Sequence, residues 1–147
     1  MQAFNPTGSH AERHTPLLLD SRGGAFLLQL ERKMANVLLV EDEADLLQAL
    51  EAVLVLEGHN VRTAENGAEA LCAVYEAIPD IVVTDAVMPD MDGIRLARTL
   101  RAAPLLANIP VILTSAINVP RDLPVHAFLR KPFCPIELVG LINRLLP

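Results

Sequence analysis

From residue 36 onward the chain alternates short unbroken apolar runs with longer stretches in which apolar residues recur every three or four positions. A run such as Val37-Leu38-Leu39-Val40 or Ile81-Val82-Val83 has no polar side, so it reads as a strand buried on both faces. On that basis strands are predicted at residues 37–40, 61–64, 81–84, 110–113 and 127–129. The intervening stretches have helical period. Leu46, Leu47, Leu50, Val53 and Leu54 fall on one side of a helix ending near Glu57, with Gly58 as its stop. Asn66-Gly67 opens a second helix, carrying Ala68, Leu71, Cys72, Val74 and Tyr75 and closing before Pro79. A third is predicted over residues 93–102, ahead of Pro104. A last one follows Pro135 and carries Ile136, Leu138, Val139, Leu141, Ile142 and Leu145.

Strand and helix in alternation require parallel strands joined by crossovers, with helices covering both faces of one sheet. The expected class is therefore α/β, a doubly wound five-stranded parallel sheet in the flavodoxin-like order 2-1-3-4-5. One stretch departs from the alternation. Between Ser115 and His126 stand Pro120 and Pro124 with no helical stripe, so a regular helix is not expected there.

Residues 1–33 have a different texture. Asn5-Pro6, Thr7-Gly8-Ser9, Thr15-Pro16 and Gly23-Gly24 interrupt any regular period, which marks an irregular N-terminal arm ahead of a domain at residues 34–147. Leu17-Leu18-Leu19 and Phe26-Leu27-Leu28 with Leu30 suggest a short helix that docks on the domain or on a second copy, as in a homodimer. Met34 stands just before the first clean strand, so an arm arising only from the assigned start is the other reading.

Composition narrows the functional classes. A chain of 147 residues suits one domain that needs no covalent staple. Its net charge of −6 argues against nonspecific binding to nucleic acid. Apolar runs are far shorter than the roughly 20 residues of a membrane-spanning helix, so no membrane association is expected. Cys72 and Cys134, without a secretion signal, point to reduced thiols in a cytoplasmic protein.

Parallel strands deliver their C-terminal ends to one edge of the sheet. Here those ends carry Glu41 and Asp42, then Asp85, then Thr114, and after the fifth strand Lys131. Three carboxylates and an ammonium converge beside the crevice where such folds keep their ligands. Crowded carboxylates repel one another, and a hard cation with oxygen ligands, Mg2+ above all, relieves them.

These residues resemble the receiver domains of two-component response regulators. The resemblance rests on Val37 through Asp42, on Val83-Thr84-Asp85 with Met88-Pro89-Asp90-Met91-Asp92-Gly93, on Leu113-Thr114-Ser115-Ala116, and on Lys131-Pro132-Phe133. It implies that Asp85 accepts a phosphoryl group from a phosphohistidine on a sensor histidine kinase or histidine phosphotransfer protein. Asp42, Asp85 and the Val87 backbone carbonyl would hold Mg2+, with Glu41 acting through water. Thr114 and Lys131 would meet the phosphate, and Phe128 would be either the aromatic whose rotamer follows phosphorylation or plain core. The protein would be a signalling domain rather than an enzyme, catalysing only its own phosphorylation and dephosphorylation and switching a downstream protein.

Two departures from the family pattern carry expectations. Only 17 positions separate Thr114 from Lys131, and the missing length falls where the fourth helix belongs, so residues 115–126 are expected to form a mobile loop or an unusual partner surface. Val87, with Ser115 near it, is apolar where a hydrolytic water would be oriented, which implies slow phosphate loss. The last helix ends at the chain end, which suggests a single-domain regulator. Two alternatives stand beside this reading: a receiver-like interaction module that signals without phosphate, and a flavodoxin-like flavin- or nucleotide-binding protein. No role is assigned to His59, His126, His10 or His14.

Overall fold

The computed structural model describes residues 34–147, together with the backbone of two short strands, β1 (Leu17–Leu19) and β2 (Ala25–Leu27). The chain divides into two compact units, Met1–Arg32 and Lys33–Pro147. In the first unit β1 and β2 pair antiparallel, with Leu17 opposite Leu27. The expected short helix is therefore corrected to a pair of antiparallel strands. In the sequence, Gly23-Gly24 between the two apolar stretches disfavours a continuous helix. Leu28, Leu30 and the proposed docking of the arm lie outside the described residues.

The second unit runs β3 (Asn36–Val40), α1 (Ala44–Leu56), β4 (Asn60–Ala64), α2 (Gly67–Glu76), β5 (Ile81–Asp85), α3 (Gly93–Ala102), β6 (Val111–Ser115), β7 (Ala127–Arg130) and α4 (Pro135–Leu145). Its five strands are all parallel, in the order β4-β3-β5-β6-β7. Counted from β3, that is the order 2-1-3-4-5.

Period-two alternation sorts the strand residues between two apolar layers. Val37, Leu39, Ile81, Val83, Ile112 and Leu129 meet Leu47, Leu50 and Leu54 of α1 and Leu138 and Ile142 of α4. On the other face Leu38, Val40, Val82 and Val111 meet Ala70 and Val74 of α2 and Leu96, Ala97 and Leu100 of α3. The short stretch after α3 adds Leu106 and Ile109 to this second layer.

Local chemistry fixes the helix ends. The Asn66 side chain accepts the Glu69 N–H at 2.8 Å and the Asp92 side chain accepts the Arg95 N–H at 2.7 Å, capping α2 and α3. Pro135 occupies the first turn of α4. At the end of α1, Gly58 has φ of +93°, a left-handed conformation that a side chain resists. Arg62 on β4 donates to the carbonyls of Ala73 and Ala77 at the end of α2, joining the Ala77 N–H on the first of them.

No helix forms between β6 and β7. Residues 116–126 follow an irregular path in which Leu123 drops onto Ala86 and Leu113, flanked by Ile94, Val119 and Val125. Both prolines of the segment lie in this path, where the missing N–H and fixed φ oppose helix. Phe128 on β7 is 41% exposed, so its reading as a core residue is corrected.

Candidate functional site

Three parallel strands bring their ends to one place. Asp85 is the last residue of β5, and its side chain is almost buried. Glu41 directly follows β3 and is held toward β4 by its N–H, which donates to the Ala64 carbonyl at 3.0 Å. Asp42 comes next and is exposed. Carboxylate oxygens of Glu41, Asp42 and Asp85 all lie within 4.8 Å of one another. Lys131 follows β7, with its ammonium 2.9 Å from Glu41 Oε2 and 3.2 Å from Asp85 Oδ2. The lysine thus bridges two carboxylates and is nearest to Glu41, which the sequence had placed only at the metal.

Three negative groups around one positive group leave the cluster with an excess of two negative charges. Burial pushes the Glu41 carboxyl above its ordinary value, the Lys131 hydrogen bond pulls it back and the Asp85 charge adds to the rise. Burial also works against the Lys131 ammonium. The Glu41 hydrogen bond and the charges of Glu41 and Asp85 outweigh it, so Lys131 is held above its ordinary value and stays cationic.

Such an all-oxygen donor set, crowded and still negative with Lys131 in place, suits a small hard divalent ion. The residues present therefore fit Mg2+.

The turn after β5 is built for close approach. The Gly93 N–H donates to the Ala86 carbonyl at 3.1 Å, which brings the first turn of α3 onto the Asp85 backbone. Thr84 Oγ1 donates to the Asp85 carbonyl at 3.0 Å. The Val87 N–H points at Asp85 Oδ1 over 3.4 Å, while its side chain is exposed beside the acid. Asp90, with φ of 65°, takes the left-handed step that turns the loop back toward α3.

Two hydroxyls end β6. Thr114 stands in register with Asp85, and its carbonyl accepts the Ala86 N–H at 2.8 Å. Ser115 lies one residue further toward the open edge, fully buried and in register with Arg130. Its carbonyl accepts the Lys131 N–H at 2.9 Å, and its hydroxyl accepts the Ile117 N–H at 3.0 Å. The family resemblance puts Thr114 at the phosphate and Ser115 at its flank, and register sets Thr114 level with Asp85 and Ser115 level with Arg130.

Two histidines left without a role prove to be strand caps. His59 Nδ1 accepts the Ala35 N–H and His126 Nδ1 accepts the Val111 N–H, each at 3.1 Å. Cys72 and Cys134 are free and exposed.

Residues 37–143 match the response regulator receiver domain family. The chain is 37% identical over 117 residues to a probable transcriptional regulator, ycf29, of Porphyra purpurea, covering 76% of this chain and 56% of that protein. It superimposes with a TM-score of 0.72 and 28% identity on the chemotaxis response regulator CheY4 of Vibrio cholerae, covering 78% of this chain and all of that one. The Thermotoga maritima response regulator TrrA, solved with Mg2+ and BeF, gives a TM-score of 0.70 and 32% identity over 77% of this chain and 100% of that one. This chain spans about half the length of the curated relatives it matches first.

Proposed function

Because the chain belongs to the response regulator receiver family, we propose that it accepts a phosphoryl group on Asp85 from a phosphohistidine of a sensor kinase or phosphotransfer protein. The observation that carries this reading is the Lys131 ammonium held between Glu41 and Asp85, with Asp42 at the same edge of the sheet. A carboxylate is a weak nucleophile, so the rate must come from in-line positioning and from charge neutralisation on the transferred oxygens. An Asp85 carboxylate oxygen forms the new bond to phosphorus as the phosphorus–nitrogen bond breaks, and the imidazole leaves with that electron pair. Asp42, Asp85 and the Val87 carbonyl would hold Mg2+, with Glu41 acting through water, and the ion supplies charge neutralisation for the phosphoryl oxygens. Lys131 shifts from Glu41 and Asp85 toward a phosphoryl oxygen.

For the hydroxyl we favour Ser115 over Thr114. Strands advance about 3.3 Å per residue, and the phosphoryl group extends outward from Asp85, past the level of Thr114. Ser115 stands at that outer level, tied to Lys131 through its own carbonyl. When its hydroxyl turns to the phosphate, the Ile117 N–H loses its acceptor and residues 116–126 are released to rearrange for a downstream protein. A flavin or nucleotide has no such support, because the acidic edge repels its phosphates.

Incubation with acetyl phosphate and Mg2+, followed by phosphate-affinity electrophoresis, tests the reading. Native protein shifts and Asp85→Asn does not; a shift in both, or in neither, sinks it. Ser115→Ala is expected to phosphorylate yet lose the phosphate-linked chemical-shift change at Ile117, whereas Thr114→Val keeps it. The opposite pattern returns the role to Thr114.

A further inference from the structure

The sheet carries two helices on each face, yet among the described residues no helix covers the outer side of β7. Register places Phe128 beside Leu113 and Arg130 beside Ser115, on the face opposite α1 and α4. Leu113 is roofed by Leu123 and Ala86, but Phe128 belongs to no apolar cluster among the described residues and remains 41% exposed. Between β7 and the irregular segment lies a cleft of about 650 Å³, lined by Val119, Arg121, Leu123, Val125, His126 and Phe128 among others. Four residues of β7 at about 3.3 Å each give a floor that a helix of two to three turns would span.

Charge selects the occupant. Arg121, at the cleft, and Arg130, beside it, are exposed, and no ion pair among the described residues involves either. Among the described residues, the Arg130 side chain is engaged only by the neutral Asn118 side chain, at 2.8 Å. Asp122 is the lone acid in residues 116–131, although Asp and Glu outnumber Lys and Arg in the chain by 18 to 12. A cleft lined in equal measure by polar and apolar surface, with one unneutralised guanidinium group at it and another beside it, on a chain otherwise rich in carboxylates, attracts acidic ligands here and repels them elsewhere.

We propose that this cleft receives an amphipathic helix of another protein, apolar along one side and edged with Asp or Glu, which takes the place of the fourth helix that this chain does not form. Phe128, Val119 and Leu123 meet its apolar side, and Arg121 and Arg130 meet its acidic margins. Because the cleft is present without phosphate on Asp85, binding does not require the phosphoryl reaction, and the two ideas fail separately.

The probe is a synthetic 14-residue helix with Leu at every third or fourth position and Glu and Ala elsewhere, beside a counterpart with Lys for each Glu. Both are titrated into the isotope-labelled full chain, without phosphodonor, and amide shifts are followed. The acidic peptide is expected to move residues 118–130 and to bind at least ten-fold tighter than the Lys peptide. Arg121→Glu with Arg130→Glu should reverse that preference, an outcome that only a folded variant can give, and Arg121→Glu alone should narrow it at least three-fold. Equal affinity for both peptides, shifts centred on α1, or no binding would overturn the proposal. So would self-association in sedimentation that Phe128→Ala abolishes, which would make a second copy the occupant.

Discussion

A Cβ added at Gly93 would stand 1.9 Å from the Asp85 carbonyl oxygen, a distance no packing can absorb without moving backbone. The residue's role is to let α3 begin against the phosphoacceptor strand. Overpacking of this kind costs about 1–3 kcal/mol or more, and about 4–8 °C of midpoint goes with each kcal/mol in a domain near 100 residues. Gly93→Ala should therefore lower the thermal midpoint by at least about 4 °C and slow phosphorylation by acetyl phosphate; an unchanged midpoint would show that the turn yields. The pair Met91 and Gly67 repeats the pattern, since the Gly67 N–H donates to the Met91 carbonyl at 2.9 Å and a Cβ there would meet the same oxygen at 2.4 Å.

His59 belongs to the same scale. Burial holds its pKa below 6.5, against a smaller opposing pull from Glu57, and its Nδ1 must stay unprotonated to accept the Ala35 N–H. A depressed value in the folded state means that the unfolded chain binds the extra proton first. The stabilisation is then complete above pH 6.5 and is lost as pH falls from 6.5 through the lowered native value. Urea denaturation of native and His59→Phe protein should show a gap of about 1–3 kcal/mol at pH 7.5 that narrows by pH 5.5. A constant gap would remove the histidine's proton from the account. Neither glycine contact nor histidine cap could be read from the chain, because each joins residues more than five positions apart through a fold that must exist first. Asp85, Asp42 and Lys131 were readable, because each follows an apolar run whose end the sequence itself marks.

Among the elements, the helices and strands of residues 36–146 were legible nearly to their ends, since period and capping residues are local. Asn66 and Asp92 announce α2 and α3, and the Gly93–Ala102 helix has the limits its flanking Gly and Pro imply. The β6 strand extends two residues beyond the expected end, to Ser115, because pairing with both β5 and β7 carries the ladder past the last apolar position. The arm went the other way: its apolar patches read as a short helix, but Leu17–Leu19 and Ala25–Leu27 pair with each other as strands. The segment between β6 and β7 was correctly read as lacking a helix, from Pro120 and Pro124. Its backbone is joined to the site through the Ser115 hydroxyl and the Ile117 N–H. Hydrogen exchange should be faster over residues 116–126 than in β6 and should slow on adding Mg2+ with beryllofluoride. Unchanged exchange would mean that the loop does not report the site.

For the molecule as a whole, ligand binding and stability are linked. An ion that binds the folded state alone adds about 1.4 kcal/mol when its concentration is ten times its dissociation constant. Mg2+ should therefore raise the melting midpoint of native protein but not of Asp42→Ala; an equal rise in both would place the ion elsewhere. Without an ion, Lys131 already offsets part of the cluster's charge.

The alternation of apolar runs and amphipathic stretches determined the class of fold, the strand ends and the acids that follow them, since each is written in residues close together along the chain. Tertiary structure decided the rest. It showed that Lys131 is shared between Glu41 and Asp85, that Thr114 stands level with Asp85 while Ser115 lies level with Arg130, and that the missing helix leaves a cleft lined in part by Phe128. Each of these depends on register between strands or on which face stays uncovered, and neither quantity has a value until distant parts of the chain have packed together.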